Sequence, residues 1–240
     1  MQRALMVSIV LGIITASISF AQDSKIKNQT ELSYVDTGGN TEVTTLSAKN
    51  ILTYKVSDKL IPEWEIGTLY AENDNEKSVE KYYTEIRFKY LFSDRLYSTL
   101  RGGWLKDKFA GIDPRYYAGP VAGYNILLGP KHFFNAEVGL DYVKEEYIDD
   151  TDNDYLRGRL FAKYEFAFTK KNRFSQSIEY LHDFEESDNY NINSETALIS
   201  ALSDSLSLKA SYKVEYDNMP VPTTLDDTDT TLTLTLVINF

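Results

Sequence analysis

Thr231-Leu232-Thr233-Leu234-Thr235-Leu236-Val237-Ile238-Asn239-Phe240 closes the chain in near-strict alternation of polar and apolar side chains. Successive side chains of a β-strand point to opposite faces, so Leu232, Leu234, Leu236, Ile238 and Phe240 share one face. Thr231, Thr233, Thr235 and Asn239 share the other. One face suits oil and the other water, which is the arrangement of a wall between the two.

The same period recurs back to Ile26, with no convincing amphipathic helix between. Thr44, Leu46, Ala48, Leu52, Tyr54 and Val56 oppose Thr45, Ser47, Lys49, Thr53 and Lys55. Tyr82, Thr84, Ile86, Phe88, Tyr90 and Phe92 oppose Tyr83, Glu85, Arg87 and Lys89. Leu156, Leu160, Ala162, Tyr164, Phe166 and Phe168 oppose Arg157, Arg159, Lys163 and Glu165. No apolar run after residue 21 approaches the ~20 residues of a transmembrane helix, so a chain of this pattern in a bilayer must close into a barrel.

The connections come in two alternating kinds. Short turns fall at Ser57-Asp58-Lys59, Ser93-Asp94-Arg95, Leu128 to Lys131, Thr169 to Asn172 and Ser203-Asp204-Ser205. Longer polar loops fall at Thr37 to Thr41, Glu72 to Val79, Phe109 to Pro114, Ile148 to Asp154, Glu185 to Tyr190 and Asp217 to Asp227. Five turns interleaved with six loops predict about twelve strands of ten to fourteen residues. The fold expected is all-β, a transmembrane antiparallel up-and-down barrel with short periplasmic turns and longer external loops. Pro62 is read as a strand start and Pro120 as a bulge.

Arg3, the apolar run from Ala4 to Ile14 and Ser19-Phe20-Ala21 have the form of a secretory signal peptide. The expected division is residues 1–21 cleaved and residues 22–240 forming the barrel in the outer membrane. Eighteen Tyr and twelve Phe fit aromatic girdles at two membrane interfaces. Cys is absent, so there is no disulfide framework and no thiolate metal site. A net charge of −11 argues against a nucleic-acid partner, and no motif implies a cofactor. The partners expected are outer-membrane lipids and lipopolysaccharide. The barrel-assembly machinery joins them during biogenesis, because Leu236, Ile238 and Phe240 resemble the terminal recognition signal of outer-membrane proteins.

Two stretches resemble the family of salt-induced outer membrane proteins, a family of unknown function. One is Gly39-Asn40-Thr41 followed by Thr44-Thr45-Leu46-Ser47. The other runs from Asp107 through Phe109, Gly111, Asp113, Pro114 and Arg115 to Tyr116, with Gly119 and Gly123-Tyr124 beyond it. The resemblance implies a single barrel over the whole mature chain and no established activity. Read from its residues, the second stretch is a third external loop, with Gly111 supplying an unusual backbone angle and Pro114 the return. Gly119 and Gly123 thin the next strand, either admitting a group from inside or accommodating curvature.

Three chemistries have candidate residues in this chain. His182 and Ser194, both of outward parity, are the pair a lipid-face hydrolase would need, but no third residue orients the imidazole, and no catalytic residue is assigned. The acidic runs Asp149 to Asp154 and Asp226 to Asp229 lack the glycine and distal glutamate of a calcium loop and read as solvated loops. The inward face is the richest. It gathers Lys49, Arg87, Lys89, Arg101, Arg157, Arg159, Lys163, Lys209 and Lys213 with Glu85, Glu165, Glu179, Glu195 and Glu215. Rings of charge set selectivity in a channel, whereas opposite charges on neighbouring strands can pair and close the interior. A narrow channel for ions or small solutes and a closed structural or envelope-stress barrel both follow from this pattern.

Overall fold

In a computed structural model, which describes residues 25–37, 43–73, 76–221 and 223–240, twelve strands form one closed antiparallel barrel. They are β1 Ile26–Thr37, β2 Val43–Tyr54, β3 Leu60–Asn73, β4 Glu76–Leu91, β5 Leu96–Asp107 and β6 Ile112–Leu128. β7 His132–Tyr147, β8 Asp152–Ala167, β9 Asn172–Asp183, β10 Tyr190–Ala201, β11 Leu206–Asp217 and β12 Thr228–Asn239 complete the ring. The signal-peptide reading and the Gly39-Asn40-Thr41 stretch lie outside the described residues.

Each strand pairs with its sequence neighbours, and β12 returns to β1 through Leu236↔Leu32 and Ile238↔Thr30. Phe240 and Asn28 extend that seam by exchanging backbone hydrogen bonds at 2.8 and 3.2 Å. Closure gives every strand a partner on both sides, which a bilayer requires because it offers no water to an open edge.

Adjacent residues show which way the wall faces. Leu160 is 55 % exposed and its neighbour Arg159 only 4 %, so the apolar side chain stands outside and the guanidinium is enclosed. Leu100, Val138, Ile178, Leu198 and Leu234 are likewise exposed on the outer surface, an apolar band that is tolerable only against lipid. We expect Leu160→Lys to cost about 2–4 kcal/mol of folding free energy in a bilayer, the range for a cation at mid-depth. Denaturant titration of the barrel refolded into vesicles measures this, and a cost near zero would place Leu160 outside the hydrocarbon.

Four of the short turns share one device. The hydroxyls of Ser57, Ser93, Thr169 and Ser203 each accept from the backbone N–H three residues on, at 3.0 to 3.1 Å. This local bond satisfies an amide that begins the next strand. In the first turn, Lys55 lies 2.7 Å from Asp58 and holds that carboxyl below its ordinary range.

The interior is shaped by glycines facing tyrosines. Gly67, Gly103 and Gly123 sit directly opposite Tyr83, Tyr117 and Tyr97, and each ring lies where a β-carbon would otherwise be. Without the glycines the rings would have to project into the lumen; with them they lie along the wall and cover the backbone.

Five expectations need correction. Glu72 to Val79 is no long loop: β3 runs to Asn73 and β4 begins at Glu76, the ladder continuing through Glu72↔Lys77 and Asn73↔Glu76 past an irregularity at Ala71/Glu72. The strands run from 12 to 17 residues, because several hairpins extend beyond the span needed to cross. Val56 belongs to a turn, since β2 ends at Tyr54. The third external connection is only a 3-10 turn, Lys108–Ala110, followed by Gly111; Asp113, Pro114 and Arg115 already lie in β6. Pro120 is no bulge: the β6–β7 register is the same at Ala118↔Tyr142 and Val121↔Gly139, and the irregularities fall at Ile112/Arg115 and Asn125/Leu127. A proline here removes one donor without adding a residue, so the register need not slip.

Candidate functional site: a charge layer across the lumen

Of the fourteen charged residues of inward parity, all but Lys89 take part in ion pairs among the described residues. At the centre of the barrel, Arg101 grips Asp141 with two hydrogen bonds, Nη2 to Oδ2 at 2.5 Å and Nε to Oδ1 at 3.1 Å. Arg157 Nη2 donates to the same Asp141 Oδ2 at 3.2 Å, and Arg101 Nη1 reaches Glu85 Oε2 at 3.2 Å. Tyr117 donates its hydroxyl to Glu85 and lies beneath both guanidinium groups, 4.9 Å from Arg101 and 5.4 Å from Arg157. Gly103 makes this stack feasible by leaving the wall flat behind Tyr117. Asp141 is wholly enclosed and Arg157 3 % exposed, so side chains fill the lumen along the β4–β8 wall.

Below this layer, toward the short turns, Arg159 bridges Glu137 at 2.7 Å and Glu179 at 2.6 Å. Arg87 pairs with Glu85 and, at 3.2 Å, with Glu63. Arg159, Glu137, Arg87 and Glu63 border a cavity of about 150 Å³ that Lys89 and Thr99 also line.

The opposite wall is less filled. Lys209 holds Glu31 at 3.3 Å and Glu195 at 2.7 Å, and Lys49 holds Glu31 at 3.3 Å. Glu195 nonetheless remains 33 % exposed and Lys213 41 %. Lys163 pairs with Glu165 at 3.3 Å nearer the short-turn end.

Above the layer, Lys81 on β4 reaches Glu215 on β11 at 2.9 Å, five places away around the ring, as well as Asp107 at 3.0 Å. Lys213 also pairs with Glu215, at 2.9 Å. Arg115, placed by sequence in a loop, points inward from β6 onto Glu145, which also accepts from Tyr155 at 2.7 Å.

The β11–β12 loop then crosses the mouth. Its Val221 carbonyl and Leu225 side chain pack on Gly111, although the two connections stand six places apart in the ring of twelve. Gly111 accepts from Ile148 N–H at 3.0 Å, tying the β7–β8 loop into the same junction. A vestibule of about 370 Å³ lies under these loops, lined by Tyr147, Asn153, Asp183, Glu186, Met219 and Val221.

Sequence reasoning omitted Glu31, Glu63, Lys81, Tyr97, Asp107, Tyr117, Glu137, Asp141 and Glu145. Glu137, Asp141 and Glu145 alternate on β7, so extending the parity rule to that strand would have found all three. The His182 and Ser194 pair does not form: His182 stands opposite Tyr190, Ser194 opposite Ile178, and Ser194 accepts from Gln176 at 2.9 Å. The hairpin register is set by the tight Glu186 to Asn189 turn, which shifts the two side chains apart.

A closed twelve-stranded antiparallel barrel with an apolar belt and a charged interior is an outer-membrane-type β-barrel. Its fold matches the translocator domain of the autotransporter NalP from Neisseria meningitidis, 10 % identical, with a TM-score of 0.52 over 100 % of this chain and 95 % of that one. It also matches an outer membrane channel from Pseudomonas putida F1, 9 % identical, with a TM-score of 0.52 over 90 % of this chain and 94 % of that one. Residues 30–240 match the family described as "Protein of unknown function, DUF481", and the chain belongs to that family. It is 27 % identical to the uncharacterized protein YdiY of Escherichia coli (strain K12) over 203 residues, 85 % of this chain and 79 % of that protein.

Proposed function

We propose that this barrel is a narrow polar channel for ions or small solutes in the outer membrane, gated at mid-height by the Arg101–Asp141–Arg157 layer. What carries the reading is the position of that layer, with a polar cavity on one side, a vestibule on the other and half-exposed Glu195 on the facing wall. Burying ion pairs is a poor way to gain stability, because desolvation offsets most of their attraction and an apolar filling does as well or better. Arg157 Nε is moreover buried without a hydrogen bond. A layer so composed is better suited to being rearranged than to being permanent.

The outer leaflet's lipids and lipopolysaccharide would meet the aromatic and acidic rim, and the assembly machinery would read β12 as an added strand through Leu236, Ile238 and Phe240.

The test is single-channel recording of the refolded chain from Gln22 onward in a planar bilayer under a salt gradient. Discrete steps with a displaced reversal potential are expected. Replacing Arg157 and Arg159 together by Ser should move the reversal potential toward cation preference, because the acidic partners remain. Unchanged conductance and selectivity would sink their role as pore lining. Silence from a folded, heat-modifiable barrel would favour a closed structural barrel.

A further inference from the structure

The cavity below the layer holds four cationic side chains, Arg87, Lys89, Arg101 and Arg159, against two carboxylates, Glu63 and Glu137. The three guanidinium groups are each committed to carboxylates. Lys89 is different. Its ammonium rests 3.7 Å from the centre of the Tyr97 ring, and among the described residues no carboxylate lies within ion-pairing distance of it. The two carboxylates nearby are already engaged, Glu63 by Arg87 and Glu137 by both Arg159 and the Tyr97 hydroxyl at 2.8 Å. Thr99 stands directly opposite Lys89 on the adjacent strand and faces the same space, offering a hydroxyl donor.

We infer that this cavity is a binding site for a compact oxyanion, a carboxylate or phosphate of a small solute, with Lys89 as its counter-ion. An ammonium in contact with a ring face, with Glu63 and Glu137 near but each hydrogen-bonded or ion-paired elsewhere, has no anion of its own, and a low-dielectric cavity raises the benefit of bringing one in. The volume of about 150 Å³ suits a molecule no larger than about benzene, which excludes an oligomer and admits phosphate or a two- or three-carbon carboxylate. Walls of Ile61 and Val121 complete the pocket and leave room for a short apolar segment. The site deepens the channel reading by naming a solute class, and it rests on the same lumen.

Isothermal titration of the refolded full barrel with inorganic phosphate, and separately with acetate, at constant ionic strength tests it. Putrescine and glycerol serve as cationic and neutral controls. Saturable binding of at least one anion and neither control is expected, and the stronger of the two identifies phosphate or carboxylate as the preferred group. Lys89→Gln should weaken it by about tenfold or more, the scale of one charge-assisted hydrogen bond, and Lys89→Arg should restore most of it. No saturable binding of either anion to the heat-modifiable wild type would overturn the site. Equal affinity in Lys89→Gln would overturn the assignment to this cavity. Binding by a barrel that stays silent in the bilayer would support the site while retiring the channel reading, and conduction without binding would do the reverse.

Discussion

Asp141→Ala is expected to destabilise the barrel by about 3–5 kcal/mol, the cost of leaving a buried charge without its partner. The reason lies in the sharing: Asp141 is the only carboxylate that Arg157 touches among the described residues, and it takes two of the hydrogen bonds of Arg101. Removing it leaves two guanidinium groups stacked on one Tyr117 ring, with Glu85 still hydrogen-bonded to Arg101 alone of the two. Like charges so placed repel, and the only direction open to them is the lumen. The same substitution should therefore raise the open probability in bilayer recordings while lowering the denaturant midpoint of the vesicle-refolded protein. A loss below about 1 kcal/mol would match a solvated surface pair and would mean that the layer is wetter than its burial implies. Arg101→Met, Asp141→Leu and Arg157→Met made together should regain most of the lost stability, because an apolar filling replaces the whole network. If the layer is a gate, that triple variant should be stable and silent.

The fold was legible because two independent periods agree. Alternation along each segment distinguishes the faces, and the short-long rhythm of the connections counts the strands; a soluble sandwich needs only the first. Parity put Arg101, Arg157 and Arg159 on the polar face of their strands, and all three side chains are enclosed; parity survives small errors in strand ends. What parity cannot supply is the partner. Whether Arg101 meets Glu85, Asp141 or both depends on register and on how far strands tilt, just as register alone decides that His182 faces Tyr190 and Ser194 faces Ile178. Nor does parity reveal that Gly67, Gly103 and Gly123 each face a tyrosine, because the pairing joins residues 14 to 26 positions apart. Those glycines were informative all the same. A strand interior tolerates glycine poorly unless something else occupies the space, so each marked an aromatic ring to be sought on the adjacent strand. The loop crossing the mouth was hidden more deeply, since it joins Gly111 to Val221, elements that share no strand pairing.

Gly111→Ala should release that crossing. Gly111 has a φ of +77°, a region in which an L side chain costs roughly 1–2 kcal/mol, and the new methyl would overlap the Val221 carbonyl. Backbone cannot step aside as a flexible side chain can, so the β11–β12 loop must lift. The expected result is proteolysis at 218–227 by added proteinase K at least about tenfold faster, the kinetic equivalent of 1.4 kcal/mol in an opening equilibrium. The barrel's denaturant midpoint should fall much less than in Asp141→Ala, because loop contacts add little to a closed sheet. Gly129→Ala is the control. Gly129 also has a positive φ, +94°, but sits in the turn between β6 and β7 at the opposite end, so a comparable backbone cost there should leave cleavage of the β11–β12 loop unchanged. Should Gly111→Ala accelerate cleavage without altering conductance, the crossing would be a brace for the loops, and control of passage would rest with the Arg101–Asp141–Arg157 layer alone. If conductance rises as well, the mouth and the layer act in series, and Lys81–Glu215, which spans the lumen between them, becomes the element through which the two would communicate.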